Sequence, residues 1–170
     1  GRVVLNRSKR NGVLNYQAGI DILIDNADGS RFNDQVEQSG DYAVFASAEY
    51  KATSELEIKP AIRFSYNTDF NSPVVPSIMV KYDITKNTIA RISYGKGYRA
   101  PGIKERYLYF VDINHNIHGN ENLQPEYSDN FYLSIVKTSV IRKTTHNTQL
   151  SGFYNDIRNL ITLAQPDPDV

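Results

Sequence analysis

The most constraining feature of this sequence is an alternation of apolar and polar residues with period two, which recurs along most of the chain. In residues 55–66 the apolar positions are Leu56, Ile58, Pro60, Ile62, Phe64 and Tyr66. Five of the six intervening positions are polar, and Ala61 is the exception. Successive side chains of a strand point to opposite faces, so the pattern predicts β-strands with one apolar face.

Similar alternation predicts further strands within 15–24, 42–51, 78–83, 90–94 and 126–137, with one or two more in 147–163. Together these make an all-β antiparallel meander of about seven or eight strands. Their length of roughly nine to twelve residues suits a tilted crossing of a bilayer. Pro60 lacks an N–H group, so we expect a bulge or a local edge at that position.

The predicted connections alternate between short and long along the chain. The short ones are 52–54 and 84–87, and the long ones are 25–40, 67–76 and 97–125. Outer-membrane barrels have short periplasmic turns, long extracellular loops and aromatic girdles near the strand ends. Tyrosines lie at such positions here, namely Tyr42, Tyr50, Tyr66, Tyr82 and Tyr94. A soluble β-sandwich shows the same alternation, but the loop lengths and the tyrosines favour a membrane barrel.

Composition excludes several classes of function. The 19 basic and 19 acidic residues cancel, so bulk charge does not predict a nucleic-acid partner. The absence of cysteine excludes disulfides and thiolate metal sites. No apolar run reaches the roughly 18 residues of a transmembrane helix. Nucleophile-elbow, zinc-protease and phosphate-loop motifs are missing from the sequence, so we predict neither an enzyme nor a bound cofactor.

Residues 94–128 hold the most specific motifs. Tyr98-Arg99-Ala100-Pro101 is followed by Glu105-Arg106-Tyr107, and then by Gly119-Asn120-x-Asn122-Leu123-x-Pro125-Glu126-x-Ser128. This order resembles the barrel domain of TonB-dependent outer-membrane receptors. Gly102 and Arg106 stand where that family usually has serine or threonine and leucine, respectively. Neither departure touches the Arg-Ala-Pro or the Asn-x-x-Leu-x-Pro-Glu core of the motifs.

The resemblance implies a fold and a function. The family builds a transmembrane β-barrel of about 22 strands around a plug, so residues 1–170 would form a partial barrel domain, roughly a third of the whole, without the plug. The chain is then expected to be a piece of a longer protein in the bacterial outer membrane. That protein would import a scarce nutrient (a ferric siderophore, haem, cobalamin or a glycan) with energy from the inner-membrane TonB complex.

The resemblance also implies partners. These are outer-membrane lipid and lipopolysaccharide, a small-molecule nutrient, and the TonB complex acting through the missing plug. No nucleic acid is expected. The isolated segment would have two open strand edges and an apolar outer face, through which we expect it to self-associate.

Eight residues of the motif are interpreted as structural: Tyr98, Arg99, Pro101, Glu105, Asn122, Leu123, Pro125 and Glu126. A half-buried arginine needs acidic or carbonyl partners, and Glu105 and Glu126 are the candidates for Arg99. The prolines are expected to fix the chain where it leaves and re-enters the sheet.

The long connection 97–125 also supplies candidate ligand-binding residues, since aromatic and arginine side chains in exposed loops commonly recognise ligands. They are Arg106, Tyr107, Tyr109, His115 and His118. The two histidines are three residues apart and could share a metal. A third convincing ligand is missing from the sequence around them, so a solvated polar loop is favoured and no metal site is predicted.

Two alternatives stay open at this point. A small eight-stranded outer-membrane barrel, serving as an adhesin or structural protein, would need a terminal aromatic strand, which residues 166–170 are not predicted to form. A soluble β-sandwich that binds carbohydrate would pack its apolar faces into a core and fold as a monomer without detergent.

Overall fold

The computed structural model describes residues 1–8, 12–32 and 36–163 of the 170-residue chain. They form one antiparallel sheet of eight strands in the order β1-β2-β3-β4-β5-β6-β9-β10, with a separate hairpin of β7 and β8. The strands are β1 Arg2–Ser8, β2 Leu14–Ala27, β3 Glu37–Lys51, β4 Leu56–Asn67, β5 Val75–Thr85, β6 Thr88–Arg99, β7 Tyr109–Val111, β8 Asn116–His118, β9 Glu126–Ile141 and β10 Thr144–Arg158. The predicted all-β antiparallel meander is confirmed.

Several strand boundaries differ from the prediction. Strand β1 was not predicted, and β2 and β3 extend into the segment 25–40 that was interpreted as a loop. That extension is rich in polar residues, so it carries no alternation to detect. Strand β9 continues to Ile141 and turns into β10 through Arg142 and Lys143, whose φ angles of 48° and 69° suit a two-residue hairpin turn.

At Pro60 the sheet has a local edge, which was one of the two expected outcomes, and no bulge. The β3–β4 ladder pairs Ser47 with Ala61 and resumes at Tyr50 and Ile58 in the same register. The proline therefore leaves a gap in the ladder on its β3 side, while it still pairs with Ile78 of β5. In the described sheet, a register shift occurs instead near the end of β5, between Asp83 and Thr85.

The connections gather by length at opposite edges of the sheet. Short ones, including 52–55, 86–87 and 142–143, join strands at one edge. The other edge carries the connection that follows Ala27, together with 68–74 and 100–125, and we call it the loop edge. The last of these contains the hairpin and a short helix, α1 (Ile103–Tyr107), which the sequence did not predict. Within the described residues, the helices are too short and too polar to cross a membrane.

One face of the sheet is apolar and uncovered. A row of paired residues crosses five strands along this apolar face: Pro60, Ile78, Tyr94, Phe131 and Tyr154. Large apolar side chains such as Ile92 and Leu133 are 58% and 48% exposed there. Among the described residues, the buried apolar side chains are those of Ala43, Pro101, Ile103 and Pro125.

Both alternative folds are wrong in the described part of the chain. A sandwich needs a second sheet to form a core, and the eight long strands make one uncovered layer. A closed eight-stranded barrel needs its outermost strands to pair, whereas β1 pairs with β2 only and β10 with β9 only. The sheet is thus an open segment. Residues 166–170, where no terminal strand was predicted, lie outside the described residues.

The apolar face ends before the loop edge. Next to the Tyr94–Phe131 pair, Lys96 pairs with Asp129. The Tyr94 hydroxyl donates to the Asp129 carboxylate at 2.6 Å, and Arg158 lies 2.8 Å from the same group. The strands therefore extend beyond the apolar belt, and Arg99 and Glu126 at their ends lie outside it.

The opposite face of the sheet is polar and carries ion pairs between strands. Asp21 lies between Arg2, at 3.0 Å, and Arg63 of β4. Asp21 pairs with the small, buried Ala43 of β3, whereas Arg63 pairs with Phe45, so the Arg63 side chain crosses β3 diagonally to reach Asp21. Lys59 joins Glu49 at 2.8 Å and Glu57 at 2.9 Å. A charged face opposite an apolar one is typical of the wall of a membrane barrel.

Candidate functional site

Arg99, the last residue of β6, organises the loop edge. Its guanidinium binds Glu126 of β9 through Nε at 2.8 Å and Nη2 at 3.1 Å. Its Nη1 binds both carboxylate oxygens of Glu105 in α1, at 2.8 and 2.9 Å. These are the two partners that the sequence offered. One side chain thus joins the end of two neighbouring strands to the helix of the longest connection.

Each carboxylate holds a backbone amide as well as Arg99. Glu105 Oε2 accepts from the N–H of Gly102 at 2.7 Å, which caps the start of α1. Glu126 Oε1 accepts from the N–H of Ile161 at 2.6 Å and so ties the chain after β10 to the cluster. The hydrogen bonds from Arg99 and then from Ile161 lower the pKa of Glu126, whereas those to Glu126 and then Glu105 raise the pKa of Arg99.

The rest of the motif forms a turn that packs against α1. Asn120 donates its N–H to the carbonyl of Glu105 at 2.9 Å, and its side chain accepts from the N–H of Asn122 at 2.9 Å. Gly119 lies so close to α1 that a Cβ there would come within 2.5 Å of the Arg106 backbone. Close packing against α1 therefore requires a glycine at position 119, and the turn requires an asparagine at position 120.

The other motif residues lie at the junction between loop and sheet. Pro101 and Pro125 are both buried. The Asn159 side chain donates to the carbonyl of Pro125 at 3.1 Å. Tyr98 pairs with Tyr127 across β6 and β9, with ring centroids 5.6 Å apart. Leu123 is half-buried and donates its N–H to the carbonyl of Asn120 at 3.3 Å.

Arg106 joins two of the long connections. Its Nη1 lies 2.9 Å from Asp69 in the connection 68–74. The guanidinium also stacks over Phe70 at 5.1 Å and over Tyr107 at 4.5 Å, and the side chain is only 14% exposed. Leucine, which is usual here in the family, could fill the same aromatic slot but could not bind Asp69. The guanidinium of Arg106, which was predicted to contact ligand, thus forms an ion pair with a neighbouring loop.

A pocket of about 390 Å³ opens beside this contact. Four of the five candidate ligand residues line it, namely Arg106, Tyr107, Tyr109 and His118. The remaining lining includes Phe32 and Glu37 from the β2–β3 connection and the start of β3, and Glu121 from the motif turn. We call this the loop pocket. Sequence reasoning missed Phe32 and Glu37 because they fall in the segment interpreted as a polar loop.

His115, the fifth candidate, does not line the loop pocket. Its ring stacks on Phe110 at 4.7 Å, and its Nδ1 lies 2.9 Å from Asp112. Arg31 lies over the same Phe110 ring at 4.1 Å. The N–H of Asn114, and next the hydrogen bond to His115, lower the pKa of Asp112. This cluster joins the β7–β8 hairpin to the β2–β3 connection.

The two histidines have separate partners and do not converge. His118 places its Nε2 2.8 Å from the Asn116 side chain and packs edge-on against Tyr109 at 5.0 Å. In the part of the chain that the structure describes, no group of three or more His, Cys, Asp or Glu residues could hold a metal ion. The geometry therefore offers surfaces for recognition.

An open sheet with one apolar and one polar face, short turns at one edge and structured loops at the other defines a segment of a large β-barrel wall. The chain belongs to the TonB-dependent receptors: the family model described as "TonB dependent receptor-like, beta-barrel" matches residues 6–170. The predicted family is confirmed.

Individual relatives agree with this assignment. The vitamin B12 transporter BtuB of Photobacterium profundum is 26% identical over 125 residues, which are 74% of this chain and 19% of the transporter. The siderophore receptor PirA of Pseudomonas aeruginosa has a TM-score of 0.77 at 18% identity, over 92% of this chain and 30% of that receptor. PirA of Acinetobacter baumannii has a TM-score of 0.60 at 15% identity, over 92% and 33%. The chain thus spans about a fifth to a third of these relatives.

Proposed function

We propose that this chain is part of the barrel wall and loop edge of an outer-membrane receptor that imports a scarce nutrient. A ferric siderophore, haem, cobalamin or a glycan would be the cargo, and the inner-membrane TonB complex would supply the energy. The observation that carries the proposal is the family match over residues 6–170. The apolar face supports it, because exposed side chains such as Ile92 and Leu133 need lipid around them.

The wall has a passive role in this proposal. Its apolar face contacts lipid, with lipopolysaccharide at the side of the loop edge, and its polar face lines the lumen. The ion pairs around Asp21 and Lys59 hold neighbouring strands together in the presence of water. No bond is made or broken by these residues, so the protein acts as a transporter and not as an enzyme. The force from TonB would act on a plug outside this chain.

Genetics tests the transport function directly. The gene that encodes this segment is deleted, and uptake of iron complexes, haem, cobalamin and oligosaccharides is measured under limitation for each nutrient. We expect uptake of one cargo class to fall to the level of a mutant without the TonB complex. Normal uptake of the whole panel after deletion would contradict the proposal.

We propose that the loop pocket contributes to ligand binding. Tyr109 supports this because it is half exposed, lies on the β7–β8 hairpin and lines the pocket. In the full receptor, Tyr109→Ala should weaken nutrient binding about tenfold, the effect of losing a well-packed aromatic contact. The matched control is Tyr154→Ala, an equally large truncation on the apolar face away from the loop edge. Equal affinities of both variants and the parent for the nutrient would show that Tyr109 does not contact it. Ligand contact by His115 stays a prediction, as that residue lies outside the pocket.

A further inference from the structure

The loop pocket has an unbalanced charge. Its carboxylates belong to Glu37 and Glu121, and neither forms an ion pair or a side-chain hydrogen bond with the residues that the structure describes. Arg106 brings the one permanent positive charge to the described lining. That charge is already paired with Asp69 at 2.9 Å. The pocket therefore has two free negative charges and no free positive charge among its described lining residues.

The surroundings of the pocket do not restore the balance. The described residues of the three long connections contain five acidic residues and three basic ones, in a chain whose net charge is zero. The excess of negative charge also affects the pKa of Tyr107, which lines the pocket. Burial is the largest reason why its pKa is raised, Arg106 opposes the shift, and the charges of Glu37, Asp69 and Glu121 add to it.

Free carboxylates next to aromatic rings form a setting that attracts cations and repels anions. Opposite charges a few ångströms apart attract each other and like charges repel, and water and salt screen both effects near a protein surface. The ring of Tyr109 is half exposed in the same pocket and can add a cation–π contact. An anionic ligand would have to approach Glu37 and Glu121 without a free arginine or lysine to compensate.

We propose that the loop pocket selects cargo that presents a positively charged group, and discriminates against anionic cargo of similar size. This inference rests on the proposed function and narrows its cargo class. The fold alone does not give this narrower cargo class, since the solved receptors that match the fold are only 15–18% identical to the chain. Similarity at that level concerns the backbone and does not extend to the charges in the loops.

The test uses the full-length receptor in detergent micelles and two probes. One is a ferric trihydroxamate with a free ammonium group, and the other is a trianionic ferric tris-catecholate. We expect the cationic complex to bind at least about tenfold more tightly, which corresponds to about 1.4 kcal/mol. Glu121→Gln and Glu37→Gln should each weaken its binding about three- to tenfold, more at low salt than at high salt. Asp28→Asn, which removes the same charge from a loop residue outside the pocket lining, is the control.

Tighter binding of the tris-catecholate would overturn the inference, as would unchanged affinity of the cationic complex in both glutamine variants. Binding of neither probe by a receptor that imports a different nutrient would also overturn it, and would leave the proposed function intact. A different result would contradict the proposed function itself, namely normal uptake of every nutrient after deletion of the gene.

Discussion

Arg99 should control the order of the whole loop edge, and its removal gives the sharpest prediction. Arg99→Ala takes away four hydrogen bonds to Glu105 and Glu126 and leaves the two carboxylates facing each other. Breaking a fully buried ion pair costs about 3–5 kcal/mol, whereas exposed pairs contribute about 0.2–1 kcal/mol. Arg99 is 44% exposed and Glu126 is 15% exposed, so the screened value lies between these limits, at about 2 kcal/mol.

The loss should be local, because the strands keep their ladders. Hydrogen exchange on the full receptor in micelles measures it at two amides that the carboxylates hold, Gly102 and Ile161. A loss of about 2 kcal/mol predicts exchange about 30-fold faster at both amides. Amides in the middle of β6 should not change.

The matched control is Lys104→Ala in the same helix, whose side chain is exposed and forms no ion pair with the described residues. It should leave both amides protected. Unchanged protection of Gly102 and Ile161 in Arg99→Ala would show that Arg99 does not hold the loop edge in order. Equal loss of protection in the strands would contradict a local role, since Arg99 would then stabilise the barrel as a whole.

Three further predictions concern the sheet and the hairpin. Gly19→Ala should destabilise the folded receptor by about 1–3 kcal/mol, because a Cβ there would come within 2.5 Å of the Phe45 ring and the Val3 carbonyl. The control is Gly152→Ala, whose Cβ would meet nothing within 4 Å. Denaturant titration in micelles compares the two variants, and equal unfolding midpoints would contradict the close packing at Gly19. Ile92→Arg on the apolar face should lower the free energy of unfolding by about 2–4 kcal/mol if lipid covers that face, and Ser93→Arg on the polar face should lower it clearly less. The same titration measures both variants, and a larger loss in Ser93→Arg would contradict the assignment of the faces. The lowered pKa of Asp112 means that its contribution to the hairpin is present above the ordinary value of 3.8 and is lost as the pH falls below it. The protection of the Asn114 amide, measured relative to the exchange rate of an unfolded amide at the same pH, should therefore fall in acid in the parent but not in Asp112→Asn. Parallel pH profiles of protection in the two proteins would exclude this role.

The sequence predicted those parts of the fold that depend on local periodicity. Apolar residues alternate clearly through β4 and through the middle of β3, so these strands and the face they expose were correctly predicted. The polar ends of β2 and β3 lie beyond the apolar belt, where no alternation is required, and they were interpreted as loop. Helix α1 has five residues, which is too short for a helical period to develop.

The contacts at the loop edge were also predicted only in part. Glu105 and Glu126 were identified as partners of Arg99 because they belong to one motif. The contact between Arg106 and Asp69 joins residues 37 apart through two different connections, and no spacing in the sequence indicates it. Glu37 enters the loop pocket only because β3 begins earlier than its pattern suggests. Contacts between loops depend on the register of the sheet, which the sequence alone does not give.

This sheet is proposed to be a wall segment embedded in the outer membrane. Single nitroxide labels placed in turn at positions 89–94 of β6, in the full receptor within native outer membranes, test it directly. Collisions with oxygen report lipid exposure, and collisions with a polar nickel chelate report water. We predict high oxygen accessibility at Ala90, Ile92 and Tyr94, and low oxygen accessibility at Ile89, Arg91 and Ser93. Uniform exposure to the chelate along β6, without period two, would contradict the membrane assignment.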